Sequence, residues 1–387
     1  MNKISGEVFT LDKIKEEKIQ KTDDETNEKY KRGEIRIVTE QARYPIKNIK
    51  TMLESGDYKR NPEYQRRKRW DNGKKSRLME SFIMNVPLPP IFLYEYEYSK
   101  YEVMDGLQRL TSIDDFYSNK FVLEGLEYWK ELNGKKYEDL PSEIQKGIDR
   151  RYLSSIVLLE ETAKSVEEAE NLKRIVFERL NSGGEPINNQ ETRNALYNGK
   201  FNQLCLKLAQ KDTFRKMWQI PLESEGEDEL LKSEAYRKME DVELVLRFFT
   251  YRHLEQRSGY SIEDFLDEYL KQANEFDDNV LEQLEELFVN TIETIYAIFE
   301  NDAFLMPIGE RKKIKPVKTI YDPLMQSVAK HIEHKNMLLK NKAKIKEEKF
   351  SEELENDGKK VFDGRDNLPS TVQLRIEYFD RLLVNYI

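Results

Sequence analysis

The chain has 387 residues, of which 35% are charged and 11% aromatic, with a net charge of −9. That length can bury one large core or two ordinary ones, and the aromatic content excludes a disordered chain. The acidic balance excludes a protein coated in nucleic acid, because phosphate binding depends on neutralising Lys and Arg. No run of about 18 apolar residues occurs, so no membrane span is expected. One cysteine, Cys205, cannot form an internal disulfide, and MNKISGEVFTLDKIKEEKIQ lacks the apolar stretch of a secretory signal. A cytoplasmic protein is expected, with Cys205 packed beside Leu204 and Leu208.

Residues 1 to 32 are charge-rich and without periodicity, which predicts a mobile arm or a frayed helix. The run EIRIVTEQARYPIKNIKTML reads as a strand passing into a short amphipathic helix. KKSRLMESFIMNV places Leu78, Met79, Phe82 and Ile83 at helical spacing, and VPLPP stops it. PIFLYEYEY and KYEVMDG predict two strands joined by a hairpin at Tyr98 to Lys100, and a helix over Leu107 to Tyr117 follows. Farther on come a helix in YEDLPSEIQKGIDR, a strand in RYLSSIVLLEE, a helix ending at Asn181, an SGGEP loop and a helix from Glu191 to Leu208. Beyond about 220 every periodic segment is helical, including YDPLMQSVAKHIEHKNML as one helix, and no convincing strand appears. The expected fold class is therefore α+β to about residue 215, then an all-helical domain over 216–387, with PLESEGEDELLKSE as the linker.

Three polar stretches can carry chemistry. Lys59 to Arg77 holds nine basic residues against Glu63 and Asp71, with Tyr64 and Trp70 interleaved. Arg67, Lys68, Arg69, Trp70, Lys74 and Lys75 are its candidate DNA contacts, and a solvated charged face is the plainer reading. A second basic stretch, RKKIKPVK, starts at Arg311. In YEVMDGLQRLTSI, Asp105 and Gly106 fall at the amino end of a helix, where unpaired N–H groups and the helix dipole favour an anion. Gln108 and Arg109 project from the first turn toward the same place. Asp105 can hold a hydrated magnesium ion or orient an arginine. Alternatively, Asp105 is only the N-cap and Arg109 its ion-pair partner. Third, FERLNSGGEPINNQETRNALYNGKF sets Asn181, Ser182, Gly183 and Gly184 in a loop before Glu191, Arg193 and Asn194 on the next helix.

Taken in this order, the residues resemble the amino-terminal domain family of GmrSD-type restriction endonucleases, a group in the ParB and sulfiredoxin-like superfamily. The matching positions are Pro62, Tyr64, Gln65, Arg66 and Trp70; then Asp105, Gly106, Gln108 and Arg109; then Phe177, Leu180, Asn181, Gly183 and Gly184; then Glu191 and Asn194. The resemblance covers roughly residues 35 to 200. It implies a ParB/sulfiredoxin-like, nucleotide-handling domain over 33–215 that binds and hydrolyses a nucleoside triphosphate in a restriction or anti-phage system, acting on or gated by DNA. It further implies Asp105, Gln108, Arg109 and Glu191 as catalytic groups, Asp105 as the ligand of Mg2+, and Gln65, Arg66, Gly106, Asn194 and the loop of Asn181, Ser182, Gly183 and Gly184 around the nucleotide. Leu107 stands where the family carries a first Gln, so a polar contact present in relatives is missing. Relatives that cut DNA often carry an HNH nuclease domain; here the only histidines are His253, His331 and His334, so cleavage would need a separate nuclease subunit or an unconventional site. The alternative is a non-catalytic DNA-binding module or a regulatory partner of such a nuclease.

Overall fold

The computed structural model describes residues 4–11, 22–31, 38–59, 70–159, 166–181, 188–308, 311–312, 315–349, 362, 364 and 366–387. The expected nucleotide-site residues Gln65, Arg66, Ser182, Gly183 and Gly184 and the basic Arg67, Lys68 and Arg69 lie outside them. The chain divides into two compact units, Glu17–Asn188 and Met1–Glu16 with Asn189–Ile387.

The Glu17–Asn188 unit is mixed α and β. Its strands are β1 (Thr39–Pro45), β2 (Tyr58–Lys59), β3 (Ile91–Glu97), β4 (Lys100–Asp105) and β5 (Tyr152–Leu158), in the sheet order β1-β5-β3-β4-β2. β1 runs antiparallel to β5, β5 parallel to β3, β3 antiparallel to β4, and β4 parallel to β2. The helices are α1 (Asp23–Lys31), α2 (Ile49–Glu54), α3 (Asn72–Met84), α4 (Leu107–Tyr117), α5 (Ser142–Asp149) and α6 (Val166–Asn181). Alternation along the strands turns Ile91, Leu93, Val103, Leu153 and Val157 into a core that they share with Leu78, Met79 and Phe82 of α3 and Leu110, Ile113 and Phe116 of α4.

The sheet is strongly curled. β1 and β2 are its two edges, and in a flat five-stranded sheet they would lie roughly 19 Å apart, at about 4.8 Å per neighbouring pair. Instead the Tyr58 hydroxyl donates to the Tyr44 hydroxyl at 3.3 Å, with the rings 6.2 Å apart. Tyr101 stacks on Tyr58 at 5.1 Å and extends this aromatic seam.

Outside the sheet, the buried Glu80 of α3 anchors a long connection. Its carboxylate accepts the N–H groups of Glu127, Tyr128 and Trp129 at 3.3, 2.8 and 3.0 Å. A buried carboxylate that gathers several backbone donors in this way is satisfied without a cation.

The second unit is helical: α7 (Asn189–Leu196), α8 (Lys200–Leu208), α9 (Asp212–Met217), α10 (Glu227–Lys232), α11 (Glu234–Arg237), α12 (Glu240–Tyr251), α13 (Ile262–Ala273), α14 (Asp278–Phe299), α15 (Lys318–Lys330), α16 (Lys335–Lys340), α17 (Lys342–Glu348) and α18 (Pro369–Val384). Three local expectations change here. A two-stranded ribbon, β6 (Pro307–Ile308) with β7 (Arg311–Lys312), interrupts the helices. The helix expected over Glu191 to Leu208 is two helices. Gly199 sits so close to Asn274 that an added Cβ would lie 2.4 Å from Asn274 Cγ. Asn274 fills the break, its Nδ2 donating to Tyr197 O at 2.9 Å and its Oδ1 accepting from Asn202 N at 3.0 Å. The helix expected across His331 likewise ends at Lys330, where His331 Nε2 meets Asp380 Oδ1 at 3.0 Å.

Residues 4–11 belong to the helical unit, with Phe9 buried, and α1 is a helix. Cys205 is buried as expected, and burial pushes its thiol up. Among the described residues, no helix is long and apolar enough to cross a membrane.

One buried cation makes the helical unit pH-sensitive. Lys349 donates to Asp302 O at 3.1 Å and to Ala303 O, and burial lowers its ammonium to about 7 from 10.5. The unfolded chain therefore binds more protons between those two values, and stability rises with pH across that window. Lys349→Met should flatten the rise, read as urea midpoints at the two ends of the window.

Candidate functional site at the β4–α4 turn

The site begins with a backbone constraint. β4 ends at Asp105, Gly106 takes φ +99°, and α4 starts at Leu107. Gly106 is required twice over. Its left-handed conformation disfavours any side chain, and an added Cβ would stand 2.3 Å from Cγ2 of the fully buried Ile91. Gly106 is the N-cap, and it has no side chain to satisfy the first N–H groups of α4. Asp105 is thus not the cap, although its expected pairing with Arg109 is present.

The next residues diverge. Leu107 is 7% exposed and joins the core with Leu110, Ile113 and Phe116, so position 107 faces inward. Gln108 Oε1 accepts the backbone N–H of Trp70 at 3.1 Å and fixes the chain where the basic segment runs into α3. Arg109 reaches back along the turn. Its Nη2 meets Asp105 Oδ2 at 2.8 Å, and its Nη1 donates to Pro89 O and, at 3.3 Å, to Pro90 O. Burial lowers the Arg109 guanidinium below its ordinary value, while the charge and hydrogen bond of Asp105 oppose that shift. The Arg109 side chain is 11% exposed and that of Asp105 43%, so the carboxylate faces solvent and the guanidinium is a brace.

The proline carbonyls are the partners that sequence reasoning missed. VPLPP signals a helix stop, yet prolines lack N–H groups and leave carbonyls available to a nearby donor, which is the one signal that was there.

The structure brings Trp70, Asp105, Gly106, Gln108 and Arg109 together. Trp70 is half-buried against the core. Asp71 caps α3 by accepting Lys74 N at 2.7 Å. Lys75 is held by Asp115 at 2.8 Å, both groups being largely buried, and lies 5.4 Å from the centre of the Phe121 ring. Asn181 closes α6. Glu191 and Asn194 belong to the helical unit and are buried on α7. There Asn194 Nδ2 lies 3.0 Å from Met239 Sδ, and neighbouring Arg193 reaches Asp267 at 2.5 Å. His331 is paired with Asp380, and His334 is exposed. Among the described residues, no group of three or more His, Cys, Asp and Glu side chains is arranged to hold a metal. Asp105 can still serve as the single carboxylate of a magnesium ion whose other ligands are phosphate oxygens and water.

Residues 46–198 match the family model described as GmrSD restriction endonuclease, N-terminal domain. This segment is a GmrSD N-terminal domain. No curated protein and no solved structure matches the chain. The GmrSD N-terminal domain associates the chain with restriction systems and so with defence against foreign DNA. Its matched span contains the whole β4–α4 turn together with Trp70.

Two substitutions test the geometry of the turn. Gly106→Ala should destabilise the GmrSD domain by about 2 kcal/mol or more through strain and overlap with Ile91, seen as a lowered denaturation midpoint. Arg109→Lys keeps the charge but loses the fork, and should cost about 1–3 kcal/mol in the same measurement.

Proposed function

We propose that the GmrSD domain is a ParB-like nucleotide-handling domain that binds a nucleoside triphosphate at the Gly106 turn and hydrolyses it. In this reading it acts as a switch in a cytoplasmic restriction or anti-phage system that is gated by DNA. The observation that carries the reading is the glycine-capped amino end of α4, with Gln108 and Arg109 on its first turn. Backbone N–H groups at a helix start bind phosphate without a side-chain cap.

The contacts of the described residues support the following roles. The N–H groups at the start of α4 receive phosphate oxygens. Arg109 keeps its fork on Asp105 and the proline carbonyls and supplies a fixed positive charge beside them. Gln108 holds Trp70 N, so it positions the basic segment in which Gln65 and Arg66 are assigned to the phosphates by family resemblance. Asp105, exposed on the other side of its pair with Arg109, orients the attacking water. Magnesium, held by Asp105 with phosphate oxygens, would neutralise charge on the departing phosphate. Ser182, Gly183 and Gly184 are assigned by the same resemblance to closing over the nucleotide, with Asn181 at the end of α6 leading into them. Leu107 faces the core, so the family's missing Gln removes an inward polar group rather than one at the open turn. Glu191 and Asn194 are read as packing α7.

The test is phosphate release by the full chain with magnesium and each of ATP, GTP, CTP and UTP, with and without DNA. Asp105→Asn should lower turnover on the order of 100-fold while leaving the fold intact by circular dichroism. A folded Asp105→Asn chain with unchanged turnover would refute the assignment.

A second reading is favoured by the Asp105–Arg109 pair itself, which occupies Asp105 Oδ2. Here the domain is a non-catalytic DNA-binding module or a regulatory partner of a separate nuclease. DNA affinity that falls steeply with salt, with no phosphate release from any nucleotide, would select it.

A further inference from the structure

Residues 4–11 dock on the helical unit in the manner of a bound peptide. Glu7 and Phe9 both point inward, and Val8 between them is 68% exposed. The Glu7 carboxylate is almost wholly buried. It accepts from Arg252 Nη1 at 2.7 Å and the Tyr269 hydroxyl at 2.8 Å, and it meets His253 Nε2 at 2.9 Å. Phe9 sits in a box of rings, with centroids 5.3 Å from His253, 5.9 Å from Phe265 and 5.1 Å from Tyr269. The Gln272 side chain clamps the backbone of Thr10 from both sides, accepting its N–H at 3.2 Å and donating to its carbonyl at 2.9 Å. Gly6 passes close to α14, where an added Cβ would lie 2.9 Å from Val280.

None of these contacts needs the segment to belong to this copy of the chain. They consist of a buried carboxylate, an aromatic anchor two residues later and a clamped backbone amide, all read by side chains of α13 and of the two residues that follow α12. The segment is also separated in sequence from the helices that hold it, because residues 17–188 form the other unit. The length of that connection lowers the effective concentration of the resident segment at the groove, so an identical segment from outside competes with it as the chain is concentrated. Exchange of an identical element between copies is a low-cost route to a dimer.

We propose that this groove is a docking site for a glutamate–x–phenylalanine motif and that a second copy of the chain supplies it by exchanging its amino-terminal segment. A cleft of about 720 Å3 runs along the docked segment beside Arg252, Lys330, Gln373 and Asp380. It leaves one flank of the segment open, so that the segment can be released without unpacking the helices beneath it.

Disulfide trapping tests the exchange in the full chain. Thr10→Cys is made in one batch and Gln272→Cys in another, and the two are mixed under mild oxidation; Cys205 is buried and does not compete. A covalent dimer in the mixture, reduced about tenfold or more when Phe9→Ala is added to the Thr10→Cys chain, is the expected result. If the two substitutions placed in one chain link it to itself while the mixture gives no dimer, exchange is overturned. A labelled peptide of residues 1–11 gives a second measurement that does not depend on cross-linking. It should bind the full-length Phe9→Ala chain, and a folded Phe9→Ala chain that ignores the peptide also overturns the proposal.

Discussion

The contact between Gly106 and Ile91 is the constraint on which the site rests. Ile91 opens β3 and is fully buried, and α4 must begin against it with no room for even one methyl group. That closeness fixes how the helix leaves the sheet, and the directions of the next side chains follow. Leu107 enters the core, Gln108 turns to the backbone of Trp70, and Arg109 folds back over Asp105 and the proline carbonyls. One backbone conformation thus converts a run of four residues into an anchor, a tie to the basic segment and a braced charge.

Much of this was legible in the sequence, and the illegible parts share a cause. Alternation marked β3, β4 and β5, and an apolar stripe marked α4 with its observed ends. The pair of Asp105 with Arg109 was one of two readings of the turn, tied there to an N-cap role that Gly106 holds instead. What escaped was decided by residues remote in the chain. Nothing near Gly199 announces that Asn274 will occupy a helix break, and nothing in VPLPP names the arginine its carbonyls will accept. The charge-rich start reads as solvated because the residues that bury Glu7 and Phe9 are Arg252, His253, Phe265 and Tyr269. Periodicity reports on local burial, whereas a docked segment without its own helix or strand leaves no period.

The helical unit shows how a chain with so many charges keeps an ordered interior. Several of its buried cations meet a carboxylate. Arg247 forks onto Asp322 and also reaches the Tyr251 hydroxyl at 2.7 Å, Arg193 meets Asp267, and Arg252 meets Glu7. Such pairs offset their own desolvation with little surplus, so they are poor sources of stability. Their effect is selective, because a slipped helix or an undocked segment would leave a charge buried alone. Arg252 and Glu7 apply that selection to the amino-terminal segment, which the hydrophobic contacts of Phe9 alone would hold less specifically.

The same reasoning bears on Arg109. Its guanidinium cannot keep its fork on Asp105 and two proline carbonyls and also present that fork to a phosphate. If it stays in place, phosphate meets backbone N–H groups first and the arginine acts through its charge, already oriented and mostly shielded from water. A fixed charge needs no rearrangement as negative charge develops, which is where a preorganised site gains over solvent. If it swings out, Asp105 loses its partner as the phosphate gains one, and the proline carbonyls are left with no donor. Burial of the side chain and its three acceptors favour the first course, so under the proposed function the turn would be a rigid cradle in which Arg109 sets the field and the glycine-capped helix makes the contact.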